Sequence, residues 1–128
     1  MSSLAPPLDL SKVLAGRRLV VLGGTGFLGK VWWSFLLSRY PEVGRLYLVM
    51  RPKGWRSANE RFWEEIANSQ ALSALREQFG SRFEEFLREK ISVVEGDVVK
   101  PLCGLDSDVR AELRGTVDIV VNAAGVVD

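Results

Sequence analysis

The chain of 128 residues contains no histidine and a single cysteine, Cys103. Without histidine there is neither a Ser–His–Asp triad nor a zinc–histidine site. One cysteine makes no internal disulfide and no cysteine metal cluster, which suits a reducing compartment. A dominant charge is missing as well. The 17 Lys and Arg against 16 Asp and Glu leave a formal net charge of +1, so nothing draws the whole chain to nucleic acid or an anionic membrane. No apolar run approaches the roughly 18 residues that span a bilayer. The start, Met1-Ser-Ser-Leu-Ala-Pro-Pro-Leu-Asp-Leu10, has neither the basic residues nor the apolar stretch of a secretory signal. A soluble, cytoplasmic protein with no metal, no nucleic-acid partner and no membrane segment in this chain is expected.

What is present is enough apolar sequence, 47%, for one domain with a modest core. Its most informative stretch is Arg18-Leu-Val-Val-Leu-Gly-Gly-Thr-Gly-Phe-Leu-Gly-Lys30. A buried strand runs into Gly23-x-x-Gly26-x-x-Gly29, and a helical segment follows. A helix start offers unpaired N–H groups and a partial positive charge, which suits a phosphate. The glycines serve a tight turn, close backbone approach to a pyrophosphate, and close helix–strand packing. An ordinary strand–turn–helix corner is the plainer alternative. Gly24 to Lys30 also fits most of a P-loop, but the next position, where a hydroxyl should meet Mg²⁺, is Val31. A dinucleotide site is the better reading.

Beyond residues 1–16, a leader punctuated by Pro6-Pro7 with a helical turn capped by Ser11, the pattern alternates. Strands are expected at 18–22, 45–51, 91–95 and 117–122. The first helix runs from Phe27 to Arg39, before Pro41. Its polar residues Lys30, Ser34 and Ser38 form a narrow stripe, so the helix should be covered on most sides, with Trp32 and Trp33 in the core. Ser57-Ala-Asn-Glu60 reads as a reciprocal capping box. It opens a long helical stretch from Ala58 to about Lys90, broken near Asn68-Ser69 and Gly80-Ser81. A short helix between Asp106 and Gly115 precedes the last strand. Strand–helix alternation specifies an α/β fold, a parallel sheet with helices on both faces, here over residues 17–128.

Ligands of such sheets sit beyond the carboxyl ends of the strands. The second strand ends at Arg51, about 20 residues past the glycines, where an acidic residue would bind a ribose hydroxyl. A guanidinium there matches a 2′-phosphate and favours NADPH, with Lys53 as a second counter-charge; a merely solvated arginine is the alternative. At the third strand end Asp97 is placed to accept from the adenine amino group while the Val98 N–H donates to the ring. An Asp bonding its own turn is the equal alternative. Asn122-Ala123-Ala124-Gly125 brings small residues to the fourth strand end, for a ribose or nicotinamide or for a tight turn.

The segments 22–30, 47–53 (Tyr-Leu-Val-Met-Arg-Pro-Lys), 60–62 (Glu-Arg-Phe), 95–98 (Glu-Gly-Asp-Val), 104–106 (Gly-Leu-Asp) and 121–124 (Val-Asn-Ala-Ala) occur in an order that resembles the N-terminal part of alcohol-forming fatty acyl-CoA reductases. These are extended short-chain dehydrogenase/reductases with a Rossmann-like fold. The resemblance implies NADPH-dependent reduction of a long-chain acyl-CoA to aldehyde or alcohol. It implies a pyrophosphate held by Gly23, Thr25, Gly26, Phe27, Leu28 and Gly29, a 2′-phosphate held by Arg51, adenine held by Asp97 and Val98, and a nicotinamide side lined by Ala123 and Ala124. Leu22 stands where Thr is common.

The family's Tyr-x-x-x-Lys pair is not in this sequence: Tyr40 is followed four residues on by Gly44, and Tyr47 by Arg51. No residue here therefore protonates a developing alkoxide. The expectation is a cofactor-binding portion, truncated after the fourth strand, that is inactive alone. Alternatives are a thioester reductase domain acting on carrier-bound acyl groups and a non-catalytic dinucleotide-binding module. As such a module, this piece would have an open edge at the fourth strand, which invites self-association.

Overall fold

The computed structural model describes residues 5–125. Four parallel strands, β1 (Arg18–Leu22), β2 (Arg45–Met50), β3 (Ile91–Glu95) and β4 (Ile119–Asn122), lie in the order β3-β2-β1-β4. The chain thus steps outward from β1 to β3 and returns to lie on the other side of β1. That reversal puts the switch point, where such sheets open a crevice, between β1 and β4. Register is continuous across it, with Leu22 paired to both Val49 and Asn122.

Alternation along the strands divides the core in two. Leu19 and Val21 of β1, Leu46 and Leu48 of β2 and Ile91 of β3 face one side. There they meet α2 (Phe27–Arg39), α3 (Ala58–Arg61), α4 (Ser73–Phe79) and α5 (Phe83–Lys90). Val20, Tyr47, Val49 and Val94 face the other side, where Leu113 of α6 (Ser107–Arg114) is the one buried helical partner among the described residues. The expected helices on both faces are therefore present.

The leader contains the helical turn expected before Gly16, with a different cap. Residues 1–4 lie outside the described residues, but α1 (Leu10–Leu14) is a formed helix whose Leu14 is buried in the larger core. Its cap is Asp9 rather than Ser11, because the Asp9 carboxylate accepts from the Ser11 and Lys12 amides at 3.1 and 3.4 Å.

Helix α2 has the expected bounds, and Trp33 is fully buried, with Trp32 half-buried against the same core. Its orientation departs from expectation. Ser34 of the polar stripe points inward, buried, donating to the carbonyls of Val31 and Ala71. A small, satisfied hydroxyl lets the 3₁₀ turn Gln70–Leu72 come close. The exposed side is instead apolar: Phe27, Leu28, Val31 and Phe35 all reach solvent.

The excursion from α3 to α5 breaks near the expected places. A π-turn, Phe62–Ile66, follows α3 and buries Phe62 and Ile66 together. Gly80, with φ of +54°, separates α4 from α5 through a 3₁₀ turn. Ser57 does accept from the Glu60 amide at 3.1 Å. The reciprocal bond, from the Ser57 amide to the Glu60 carboxylate, is not made among the described residues; the Glu95 carboxylate, from the end of β3, accepts instead from the next amide, that of Ala58, at 3.1 Å. Tertiary proximity thus satisfies one more orphan N–H at the start of α3.

Candidate cofactor site

The four strand ends surround a cleft of about 560 Å³. Of the residues expected there, Gly23, Thr25, Gly26, Arg51, Asp97, Val98, Ala123 and Ala124 line it. Asn122 and Gly125 of the expected fourth strand end also line it, and residues not foreseen, Leu22, Val49, Gly96 and Val99, complete it. Phe27, Leu28 and Gly29 stand just behind, in the first turn of α2, and Lys53 lies in an adjoining notch with Arg51, Pro52 and Arg61.

The turn after β1 is built by steric exclusion. Gly23 has φ of +78°, and a Cβ on it would stand 2.4 Å from the Ala124 nitrogen. A Cβ on Gly29 would stand 2.1 Å from the Gly23 carbonyl oxygen. Only glycine at both positions lets the turn touch the β4 exit on one side and its own helix on the other. Gly26 is the N-cap of α2 and no side chain caps it. The first-turn N–H groups of a 13-residue helix are thus left for an outside acceptor, with the helix dipole behind them.

At the end of β2 the Arg51 side chain is exposed and has no ion-pair partner among the described residues. Its main-chain carbonyl is held by the guanidinium of Arg61, at 2.5 Å. Arg61 also pairs with Glu65 at 3.1 Å, and Glu65 with Arg56 at 2.8 Å. The hydrogen bond from Arg61, with Arg56 and Lys53 adding their charge, holds the Glu65 carboxyl below the ordinary carboxylate range against a smaller opposing desolvation. Arg61 is not among the residues expected at the site, although it stands in the Glu60-Arg61-Phe62 segment. Lys100 is a second: it shares a side cleft with Arg51 and Asp97.

At the end of β3, Asp97 adopts the turn alternative. Its Oδ1 accepts from the Val99 amide at 3.1 Å, and its own amide donates to the Cys103 carbonyl at 2.7 Å. Leu102 and Cys103 carry left-handed backbone, φ of 54° and 55°, which closes this loop against Gly96. The Val98 amide has no acceptor among the described residues and stays available. Asn122 makes the equivalent turn at β4, accepting from the Ala124 amide at 3.0 Å.

Neither tyrosine takes part. Tyr47 is buried on the α6 face, its hydroxyl accepting from Arg18 at 2.7 Å, and Tyr40 packs against the larger core.

A phosphate-ready turn, a cationic strand end and a β1/β4 switch point describe a dinucleotide cleft, and a family model, that of the male sterility protein NAD-binding domain, matches residues 21–128. The chain belongs to that family. Its relatives include fatty acyl-CoA reductase 2, chloroplastic, of Arabidopsis thaliana, 29% identical over 97% of this chain and 20% of that protein. The alcohol-forming fatty acyl-CoA reductase of Simmondsia chinensis is 31% identical over 94% of this chain and 24% of that protein. Among solved structures, the reductase domain of a nonribosomal peptide synthetase from Mycobacterium tuberculosis superposes with a TM-score of 0.65 at 32% identity, over 87% of this chain and 24% of that one. The chain spans about a quarter or less of the length of these relatives. The resemblance to fatty acyl-CoA reductases and the Rossmann-like fold are both borne out. No helix among the described residues is long and apolar enough to cross a membrane.

Proposed function

We propose that this chain is the NADPH-binding portion of a reductase that converts a long-chain acyl-CoA to aldehyde or fatty alcohol. The observation that carries the reading is Arg51. It is a guanidinium at the end of β2 with no ion-pair partner among the described residues, bordering the same cleft as the N-terminus of α2. The turn takes the pyrophosphate through the N–H groups of Thr25, Phe27, Leu28 and Gly29. Arg51, flanked by Lys53 and Arg61, takes the 2′-phosphate in a charge-assisted, bidentate fashion. The Val98 amide and the free oxygen of Asp97 take the adenine edge, and Ala123 and Ala124 leave room beside the ribose of the nicotinamide. When bound, the cofactor supplies a hydride; the residues of this chain bind and orient it. With no tyrosine–lysine pair among its residues, the 128-residue chain alone is inactive, and its work is cofactor binding. A cytoplasmic location and self-association through the β4 edge belong to the same proposal.

The test is titration of the purified chain with NADPH and NADH. Micromolar NADPH binding with NADH at least tenfold weaker supports the reading, and equal binding of the two overturns the assignment of Arg51. A second substrate reading, an acyl group on a carrier protein, is favoured by the likeness to a synthetase reductase domain. Parallel assays of a longer protein with acyl-CoA and acyl-carrier substrates separate the two.

A further inference from the structure

Helix α2 carries a tryptophan whose polar atom is not idle. Trp33 is fully buried between β1, β2 and Phe62, and its indole N–H donates to the carbonyl of Gly24 at 2.8 Å. Gly24 is itself buried in the turn, so the contact joins the core directly to the phosphate loop. The adjacent carbonyl, that of Gly23, is also occupied, accepting from the Gly26 amide at 3.3 Å. Both turn carbonyls are thereby held away from the place where an anion would sit.

The Gly24 carbonyl and the Thr25 N–H belong to one peptide unit. That unit is planar and trans, since the described residues contain no cis peptide bond. In such a unit the C=O and N–H bonds point in opposite directions. Drawing the carbonyl into the core therefore turns the Thr25 N–H outward, and Thr25 lines the cleft. No acceptor within the described residues takes that N–H.

From this we infer that Trp33 is a positioning residue for dinucleotide binding: its indole N–H latches the Gly24 carbonyl and so aims the Thr25 N–H at the cofactor pyrophosphate. The inference rests on the proposed cofactor reading and adds a residue remote from the ligand to it. An apolar side chain of similar size would fill the same space in the core but leave that peptide unit free to rotate, and a rotated unit presents an oxygen to the phosphate.

The test compares Trp33→Phe with Leu87→Val, a core substitution in α5 far from the turn, using two probes. NADPH reaches the turn; 2′-AMP carries the 2′-phosphate and adenine but nothing that contacts it. Trp33→Phe is expected to weaken NADPH about tenfold, the range of one hydrogen bond to a charged group, and to leave 2′-AMP within twofold. Leu87→Val is expected to change neither. NADPH affinity unchanged in Trp33→Phe, or NADPH and 2′-AMP weakened together, overturns the latch while leaving the cofactor reading intact. If the unsubstituted chain binds neither probe, the cofactor reading falls and the latch with it. A measurement on the unsubstituted chain needs no variant to fold: NADPH should move the Thr25 amide proton strongly downfield, and an unmoved Thr25 amide overturns the inference.

Discussion

The two faces of the sheet are built to different standards. On the α2–α5 side, Val21, Leu46, Leu48, Trp33, Leu37, Phe62, Leu72 and Leu87 exclude solvent completely. On the α6 side, Leu113 is the one buried residue supplied by a helix among the described residues, and Val120 of β4 is 65% exposed. The difference bears on the proposed function because the glycine turn is fastened to the closed face, through Trp33 and Gly24, whereas the open face borders the β4 edge. A binding turn is only as fixed as the core under it, and here the chain places its densest packing directly behind the turn.

The largest expected effect breaks that closed face. Leu48→Ala removes a fully buried side chain that also abuts Gly24. It should cost about 3–5 kcal/mol, against about 2 kcal/mol or less for Leu113→Ala on the open face, where the site relaxes toward solvent. Urea unfolding of both variants checks the ordering, and equal losses would remove the distinction between the faces. Next in size is Arg51→Ala, expected to weaken NADPH by about 10- to 100-fold through loss of a charge-assisted contact while sparing NADH. Paired titrations measure it. Smaller in energy is Val120→Lys, which should shift stability by no more than about 0.5 kcal/mol. It places a charge on the exposed edge strand, so any dimer seen by light scattering should be reduced. A monomeric parent chain would show that the open face is not self-complementary.

The smallest effect concerns pH. The Glu65 carboxyl is held below its ordinary range, by Arg61 first. A depressed carboxylate adds stability above its unfolded pKa and loses it as pH falls through the folded value. Stability of the parent chain should therefore drop on acidification below about pH 4.5, and Glu65→Gln should flatten that drop. Because Arg61 also holds the Arg51 carbonyl, NADPH affinity should weaken over the same interval. A parallel decline in Glu65→Gln would assign it to other carboxylates.

The strand–helix alternation, the bounds of α2 and the glycine turn are legible because each rests on local rules. An apolar run ending in Gly23 has one good continuation, and Pro41 ends a helix wherever it occurs. The outward apolar side of α2 was not legible. Three polar residues at helical spacing look like a solvated stripe, and only the arrival of Gln70–Leu72 turns its middle member, Ser34, inward. The Asp97 role was open for a related reason: turn bonding and ligand bonding need the same carboxylate, and the Val99 amide takes one oxygen.

By itself, the sequence determined an α/β sheet with a glycine turn at a helix start and a cation at the end of the second strand. Those are properties of period, spacing and residue type, carried within short segments. The tertiary structure alone decided that Glu95 caps α3, that Arg61 and Lys100 join Arg51, and that Trp33 holds the turn. Each of these joins segments that only folding brings together, or depends on the direction of a single peptide unit, and no local pattern specifies either.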